Sequence, residues 1–436
     1  MKGSNGYPPG PSSRIRATIG FARDPYGTFA DCRQRYGDPF TLPLLGSHVV
    51  ITGQPELARS MYAMPPAEVG GLLGHLIPEI LGPRSILVLS GEEHSADRKL
   101  MTPMFKPERV GVHSGVIADV TRKAIDGHEP GTQVLAYDLG REIALGVILR
   151  AMFGVADGER LEAFRLAVLN FVEAGSPPLI FFRPLRRSFG GRGPWARAMR
   201  RLAELDELFY EQIRERRGQE PGNDMLGALI EARYPDGRAM TDQELRDQLM
   251  SFALAGHETM AVTLAWALYW TLALDDVRER LGAELAGAGE DVSGLPYLDA
   301  VCRETLRIYP IQPVVMRHLL TPTEFAGYEL PAGAFVGAAT TLVHMDPAVF
   351  PDPERFDPDR FVGSTTKPAG TFFPFGGGAR RCIGAAFALQ EMRDVLAVLH
   401  REYRLAVVDR TTPRPARRST VTGPSGGVPL AYDGAR

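Results

Sequence analysis

The segment Phe373-Pro-Phe-Gly-Gly-Gly-Ala-Arg-Arg-Cys-Ile-Gly384 constrains this chain more than any other. Three consecutive glycines and two arginines precede a single cysteine, Cys382. Gly384 and the run Ala385, Ala386, Phe387, Ala388 then read as the opening of a helix. Backbone N–H groups of such a loop, with positive charge beside them, favour a thiolate over a thiol. The glycines leave room for a flat ligand to lie against the main chain. Those are the requirements of a cysteine that ligates iron.

The spacing Phe375-x-x-Gly378-x-Arg380-x-Cys382-x-Gly384 resembles the haem-binding signature of the cytochromes P450. The resemblance runs over nearly the whole chain. It implies a mainly α fold with small β-sheets (α+β), with the haem between a long oxygen-binding helix and the cysteine loop. It also implies haem b with Cys382 as axial thiolate and metal ligand, and Phe375, Gly376, Arg380 and Gly384 around the cofactor. No low-complexity linker or internal repeat divides the sequence, so residues 1–436 read as one domain.

The bulk properties fit a soluble globular protein: 436 residues, 44% hydrophobic and 23% charged. A net charge of −3 gives nucleic-acid binding no support. Cys32, Cys302 and Cys382 are far apart, which argues against a disulfide framework and suits a reducing compartment. No apolar run reaches membrane-spanning length, and the most apolar segment, Phe252 to Leu274, carries His257 and Glu258. Tyr7-Pro-Pro-Gly-Pro11 resembles the hinge that follows the anchor in membrane-bound relatives, with nothing apolar before it. A soluble, cytoplasmic, monomeric protein without a membrane anchor is the expectation.

Alternation predicts a hairpin from Phe40 to Leu45 and His48 to Thr52 around Gly46-Ser47. Helical periodicity dominates from Pro55 to Gln312. Two irregular apolar segments, Val69 to Leu89 and Ser176 to Gly193, read either as covers of a ligand cavity or as packing loops. Strands are expected again at Glu324 to Leu330, Ala334 to His344 and in the tail near Thr420 to Leu430.

Ala255-Gly256-His257-Glu258-Thr259 sits inside a predicted helix from about Asp242 to Leu274. Gly and Thr both lower helix propensity there. A Thr259 hydroxyl bonded to the Ala255 carbonyl would open the helical ladder, and Gly256 would add space, forming a groove for dioxygen and water. The pentapeptide matches the family's oxygen-handling motif, which implies Thr259 and Glu258 as the catalytic alcohol and acid that govern proton delivery. Glu304 and Arg307 share one helix face. The resemblance makes them two members of a structural ion triad, with Arg360 favoured over Arg355 as the third. It also implies that His94, Arg98, Arg317 and Arg380 hold the haem carboxylates.

The family chemistry is monooxygenation of a substrate with O2 and two electrons. No flavin or nicotinamide fingerprint and no iron–sulfur cysteine cluster is present. Electrons are therefore expected from a ferredoxin or flavodoxin with an NAD(P)H-dependent reductase. Arg381 and Arg393 read either as a basic docking patch or as a solvated helix face. By resemblance Phe252, Ala253, Ala255, Val314, Val315 and the turn Ser425 to Gly427 lie over the haem. That set is apolar and small and offers no charge for an acid. A bulky terpenoid- or steroid-like substrate, hydroxylated or epoxidised, is expected. Fatty acids anchored by arginines near Arg183 to Arg187 are the alternative. A peroxide-driven enzyme and a non-enzymatic haem carrier or sensor are the competing readings.

Overall fold

The computed structural model describes residues 6–175, 179–180, 183–187, 189–220, 222–363, 371–418 and 420–436, without the side chains of 73, 183 and 189. Helices make up most of it, with small sheets near both ends of the chain. The helices needed below are α1 (Arg14–Arg23), α2 (Pro25–Tyr36), α3 (Pro55–Ala63), α4 (Gly91–Met101), α5 (Ser114–Asp126), α6 (Ala136–Val147), α7 (Asp242–Ala273), α8 (Pro296–Ile308) and α9 (Ala385–Glu402).

The centre is α7, 32 residues and about 48 Å long. A capping box starts it. The Glu244 N–H donates to Thr241 Oγ1 at 3.2 Å, and the Thr241 N–H donates back to Glu244 Oε2 at 2.8 Å. It is apolar on nearly every face from Met260 to Ala273, which is how a helix buried all round reads. Gly140 of α6 lets the two backbones meet. A Cβ there would lie 2.9 Å from the Ala261 carbonyl oxygen.

The largest sheet has the order β1-β2-β8-β5-β3. Its members are β1 (Phe40–Leu44), β2 (Ser47–Thr52), β3 (Val69–Gly71), β5 (Val315–Leu319) and β8 (Phe335–Ala338). The β1–β2 hairpin pairs Phe40 with Ile51 and Leu44 with Ser47, and Gly46 takes φ +95° in the turn. β4 (Thr132–Leu135), β12 (Pro429–Ala435) and β9 (Tyr403–Val407) form a second sheet, and β10 (Pro415–Arg418) and β11 (Val421–Pro424) form a hairpin.

Three expectations need correction. The strand expected over 334–344 stops at Ala338, and a short helix, Thr340–His344, follows. The strand expected over 324–330 is two short strands, β6 (Thr323–Phe325) and β7 (Tyr328–Leu330), folded on Ala326 and Gly327 at φ +54° and +79°. β3 and β4 escape periodicity because they are short and their partners lie some 250 to 300 residues away in β5 and β12. Among the described residues no helix is long and apolar enough to cross a membrane.

Candidate active site

The cysteine loop is held by its own backbone. The Cys382 N–H donates to the Phe375 carbonyl at 2.9 Å, and the Gly376 N–H donates to Phe373 at 2.9 Å. Gly376 and Gly378 both need positive φ, +67° and +65°. The glycines do more than clear a flat ligand. A Cβ on Gly377 would lie 2.7 Å from the Tyr62 ring, and one on Gly378 would lie 1.8 Å from the Tyr62 carbonyl oxygen. The end of α3 therefore packs directly on this backbone.

The Cys382 side chain is exposed. Desolvation pushes its thiol pKa up. The Gly384 N–H, Arg381 and Arg98 pull it back toward the thiolate. Gly384 caps α9, so the sulfur also sits at a helix N-terminus. A Cβ on Gly384 would be 4.0 Å from the Phe105 ring, which meets Phe252 of α7 edge-on at 5.7 Å. Through Phe105 the cysteine loop and α7 face one interior.

Four basic groups converge beside this loop from three distant parts of the chain. His94 and Arg98 come from α4, Arg317 from β5 and Arg380 from the loop itself. Arg380 donates to the Leu89 carbonyl at 2.6 Å and Ser90 Oγ at 3.0 Å, and Arg317 donates to the Gly377 carbonyl at 3.2 Å. Among the described residues none of the four is ion-paired to a carboxylate, and His94 Nδ1 and Arg380 Nε are buried without any partner. Burial and mutual repulsion lower the His94 pKa to about 4 and that of Arg380 to about 10. Such a set needs an anion, and the two propionates of a haem fit it.

On α7, Thr259 Oγ1 donates to the Ala255 carbonyl at 2.6 Å and also approaches that of Gly256 at 3.3 Å. The helix continues through this point without interruption. The space expected at Gly256 is taken: a Cβ there would meet Ile148 Cδ1 at 2.9 Å, so this glycine admits a neighbouring π-helical turn, Ile148–Met152. Glu258 Oε1 accepts a 2.7 Å hydrogen bond from Tyr137 of α6. The Arg418 guanidinium lies 4.1 Å from the centre of the Tyr137 ring. Burial and the Glu258 hydrogen bond raise the Tyr137 pKa well above its ordinary value, which keeps it a donor. Tyr137 stands 121 residues from Glu258, and no sequence signal linked them.

Glu304 and Arg307 of α8 are fully buried and bonded bidentately at 2.7 and 2.8 Å. Arg360 reaches the same carboxylate at 3.4 Å, while Arg355 contributes only its carbonyl to Arg307. The residues expected over the haem are only partly brought together. Phe252 and Ala253 are buried on α7, and Ala255 is exposed. Val314 and Val315 are successive and point apart. Val314 packs with Met316 and Phe335, and Val315 faces Gly376 and belongs with Tyr62. Ser425 is exposed, and its N–H bonds the Arg414 carbonyl at the end of the β10–β11 hairpin away from its tip.

Two arginine expectations also change. Arg393 is drawn inward to Asp299 at 2.8 Å and Gln390 at 3.0 Å, so it is no surface patch; Arg381 is exposed. Arg186 bonds the Leu179, Ile180 and Leu76 carbonyls and Glu79, so it is already engaged. Residues 176–178, 181, 182 and 188 of the expected cavity cover lie outside the described residues. The other cover, 69–89, is stitched to α7. Gln248 bonds Arg84 and Ile86, and Ser251 bonds Ser85.

Known proteins are similar to this chain. A sequence profile of the family described as Cytochrome P450 matches residues 8–428. The chain is 37% identical over 441 residues to the protein of Mycobacterium tuberculosis named cytochrome P450 135B1, covering 99% of this chain and 93% of that one. It is 31% identical over 408 residues to cytochrome P450 137 of the same organism, covering 92% and 84%. Among solved structures, the cytochrome P450DA heme domain superposes with a TM-score of 0.84 at 23% identity over 99% and 98% of the two chains. A retinoic acid-bound cyanobacterial CYP120A1 gives 0.82 at 24% identity over 96% of each. The last two comparisons speak to the fold alone.

Proposed function

The chain belongs to the cytochrome P450 family and is a haem-thiolate monooxygenase, and from that premise we propose that Cys382 is the axial ligand and that the substrate is a bulky, largely apolar small molecule. The observation that carries the assignment is the cluster of His94 and Arg317, buried, with Arg98 and Arg380, half-buried, beside Cys382 without a carboxylate partner among the described residues. When bound, a haem with a thiolate ligand supplies the activation of dioxygen. The chain's own part is positioning. The four basic groups hold the propionates, and the Gly384 N–H and the α9 N-terminus favour the thiolate. Glu304, Arg307 and Arg360 fix the segment that leads into the loop.

Thr259 and Glu258 are the proposed catalytic alcohol and acid. Glu258 exchanges protons while Tyr137 holds its carboxylate, and the Thr259 hydroxyl passes a proton on within the interior. Phe252, Ala253 and Ala255 offer an apolar wall for the substrate. Ferredoxin or flavodoxin, reduced by an NAD(P)H-dependent reductase, is the proposed electron source, with exposed Arg381 next to the ligand loop as one cation for an acidic partner. The decisive test is the absorption spectrum of the reduced, CO-bound protein. A red-shifted, thiolate-type Soret band is expected, and Cys382→Ala should abolish it. A histidine-type band in the unaltered protein would overturn the assignment.

A further inference from the structure

The β10–β11 hairpin carries three arginines, Arg414, Arg417 and Arg418, and no acidic residue from 414 to 424. Among the described residues none of the three is ion-paired. Arg418 lies over Tyr137, on the side of the proton-handling pair. Arg417 is different. Its side chain is half-buried and its guanidinium sits 4.9 Å from the Phe21 ring centre, with no carboxylate partner among the described residues. Desolvation lowers its pKa, and no neighbouring carboxylate opposes that effect.

Thr422 is paired with Arg417 directly across the hairpin, so the two side chains leave on the same face. Its hydroxyl is buried and unpartnered as well, with the residue 1% exposed. A half-buried cation without a carboxylate and a buried hydroxyl side by side form a donor pair that lacks an acceptor. A buried donor left unmade is costly.

The pair lies against the helix that carries the proposed substrate wall. The Thr422 N–H donates to the Ile311 carbonyl at 3.0 Å, and a Cβ on the adjacent Gly423 would meet Val262 of α7, three residues beyond Thr259, at 3.0 Å. Phe21, beneath Arg417, packs on the apolar cluster containing Val314 and Met316, with Leu72 half-buried at its edge. A polar anchor therefore borders an apolar wall.

We propose that Arg417, with Thr422 behind it, is the anchor for a carboxylate at one end of the substrate, so that the substrate class is an apolar acid. This rests on the functional reading above and narrows it. A long-chain fatty acid and a diterpene acid share this chemistry, and the length and rigidity of the apolar body would separate them.

The test uses the full haem-loaded protein. Palmitate and abietate are each compared with their methyl esters by equilibrium dialysis, alongside the substrate-induced spectral shift. At least one acid should bind about tenfold more tightly than its ester, the scale of one charge-assisted hydrogen bond. Arg417→Gln should bring that ratio to within about twofold by weakening the acid and leaving the ester unchanged, and Thr422→Val should weaken the acid several-fold. Whichever acid shows the preference identifies the body. If neither acid binds better than its ester, or if Arg417→Gln leaves the ratio intact, the proposal is wrong. The reduced CO spectrum of the same samples reports separately on the haem-thiolate assignment. Dialysis does not depend on it, so the two failures are distinguishable.

Discussion

Replacing Glu304 by alanine should be among the most damaging single changes in this protein. Both side chains of the Glu304–Arg307 pair are 0% exposed. The carboxylate accepts from Arg307 Nε at 2.7 Å, Arg307 Nη2 at 2.8 Å and the Asp357 N–H at 2.9 Å, with Arg360 at 3.4 Å. Without it, Arg307 keeps only the carbonyls of His344 at 2.9 Å and Arg355 at 3.2 Å among the described residues, beside the weak Met345 sulfur. Each charged hydrogen bond is worth about 1.5–3 kcal/mol, and stranding one partner of a buried pair costs about 3–5 kcal/mol. That is a fifth or more of the roughly 5–15 kcal/mol that holds a typical fold. Urea unfolding followed by circular dichroism measures it. The double variant Glu304→Leu/Arg307→Met removes the fully buried Arg307 charge, leaves Arg360 on the Pro351 and Asp352 carbonyls, and should recover most of the loss. A cost for Glu304→Ala below about 1 kcal/mol, or a double variant as poor as the sum of the singles, would refute the reasoning.

Three other outcomes follow from the same geometry. Tyr137→Phe removes the donor to Glu258, and the fraction of NAD(P)H electrons recovered in product should drop about fivefold, matching the roughly 1 kcal/mol net worth of a hydrogen bond, with unchanged haem content; equal coupling would exclude a positioning role. Gly378→Ala puts a Cβ into the Tyr62 carbonyl at φ +65°, so about 3 kcal/mol or more of stability should be lost together with haem retention. Burial lowers the pKa of His257 to about 4, His344 to about 3 and His400 to about 4, against about 6.5 in an unfolded chain. The unfolded state therefore binds more protons between about pH 6.5 and 4, and stability should fall as pH falls through that window. Urea midpoints at pH 7.5 and 5.0 test this, and a midpoint that does not change would contradict it.

Much of the fold and the ligand loop was legible because the constraints are local. The β1–β2 hairpin follows from alternation around a glycine turn, and α7 from a long, apolar helical stretch. The cysteine loop was readable as a pattern of residue types, yet part of its physical reason was not. Gly377 and Gly378 are needed where Tyr62 crosses the loop, some 315 residues away in sequence. Gly256 makes the same point, since Ile148 fills the space it was expected to leave.

Arg393 and Arg417 show the limit from both sides. Arg393 read as a surface cation and is drawn in to Asp299, whereas Arg417 carried no sequence signal and emerges as a half-buried cation over Phe21 without a carboxylate partner among the described residues. The sequence alone settles the family, the chemistry of the ligand loop and the identity of the helix that faces it, because those depend on residue types at fixed short spacings. Which charges meet and which stay unpaired was decided by tertiary structure. So was the placing of Tyr137 on Glu258. Long-range packing sets burial, and burial determines whether a charged or polar group must find a partner.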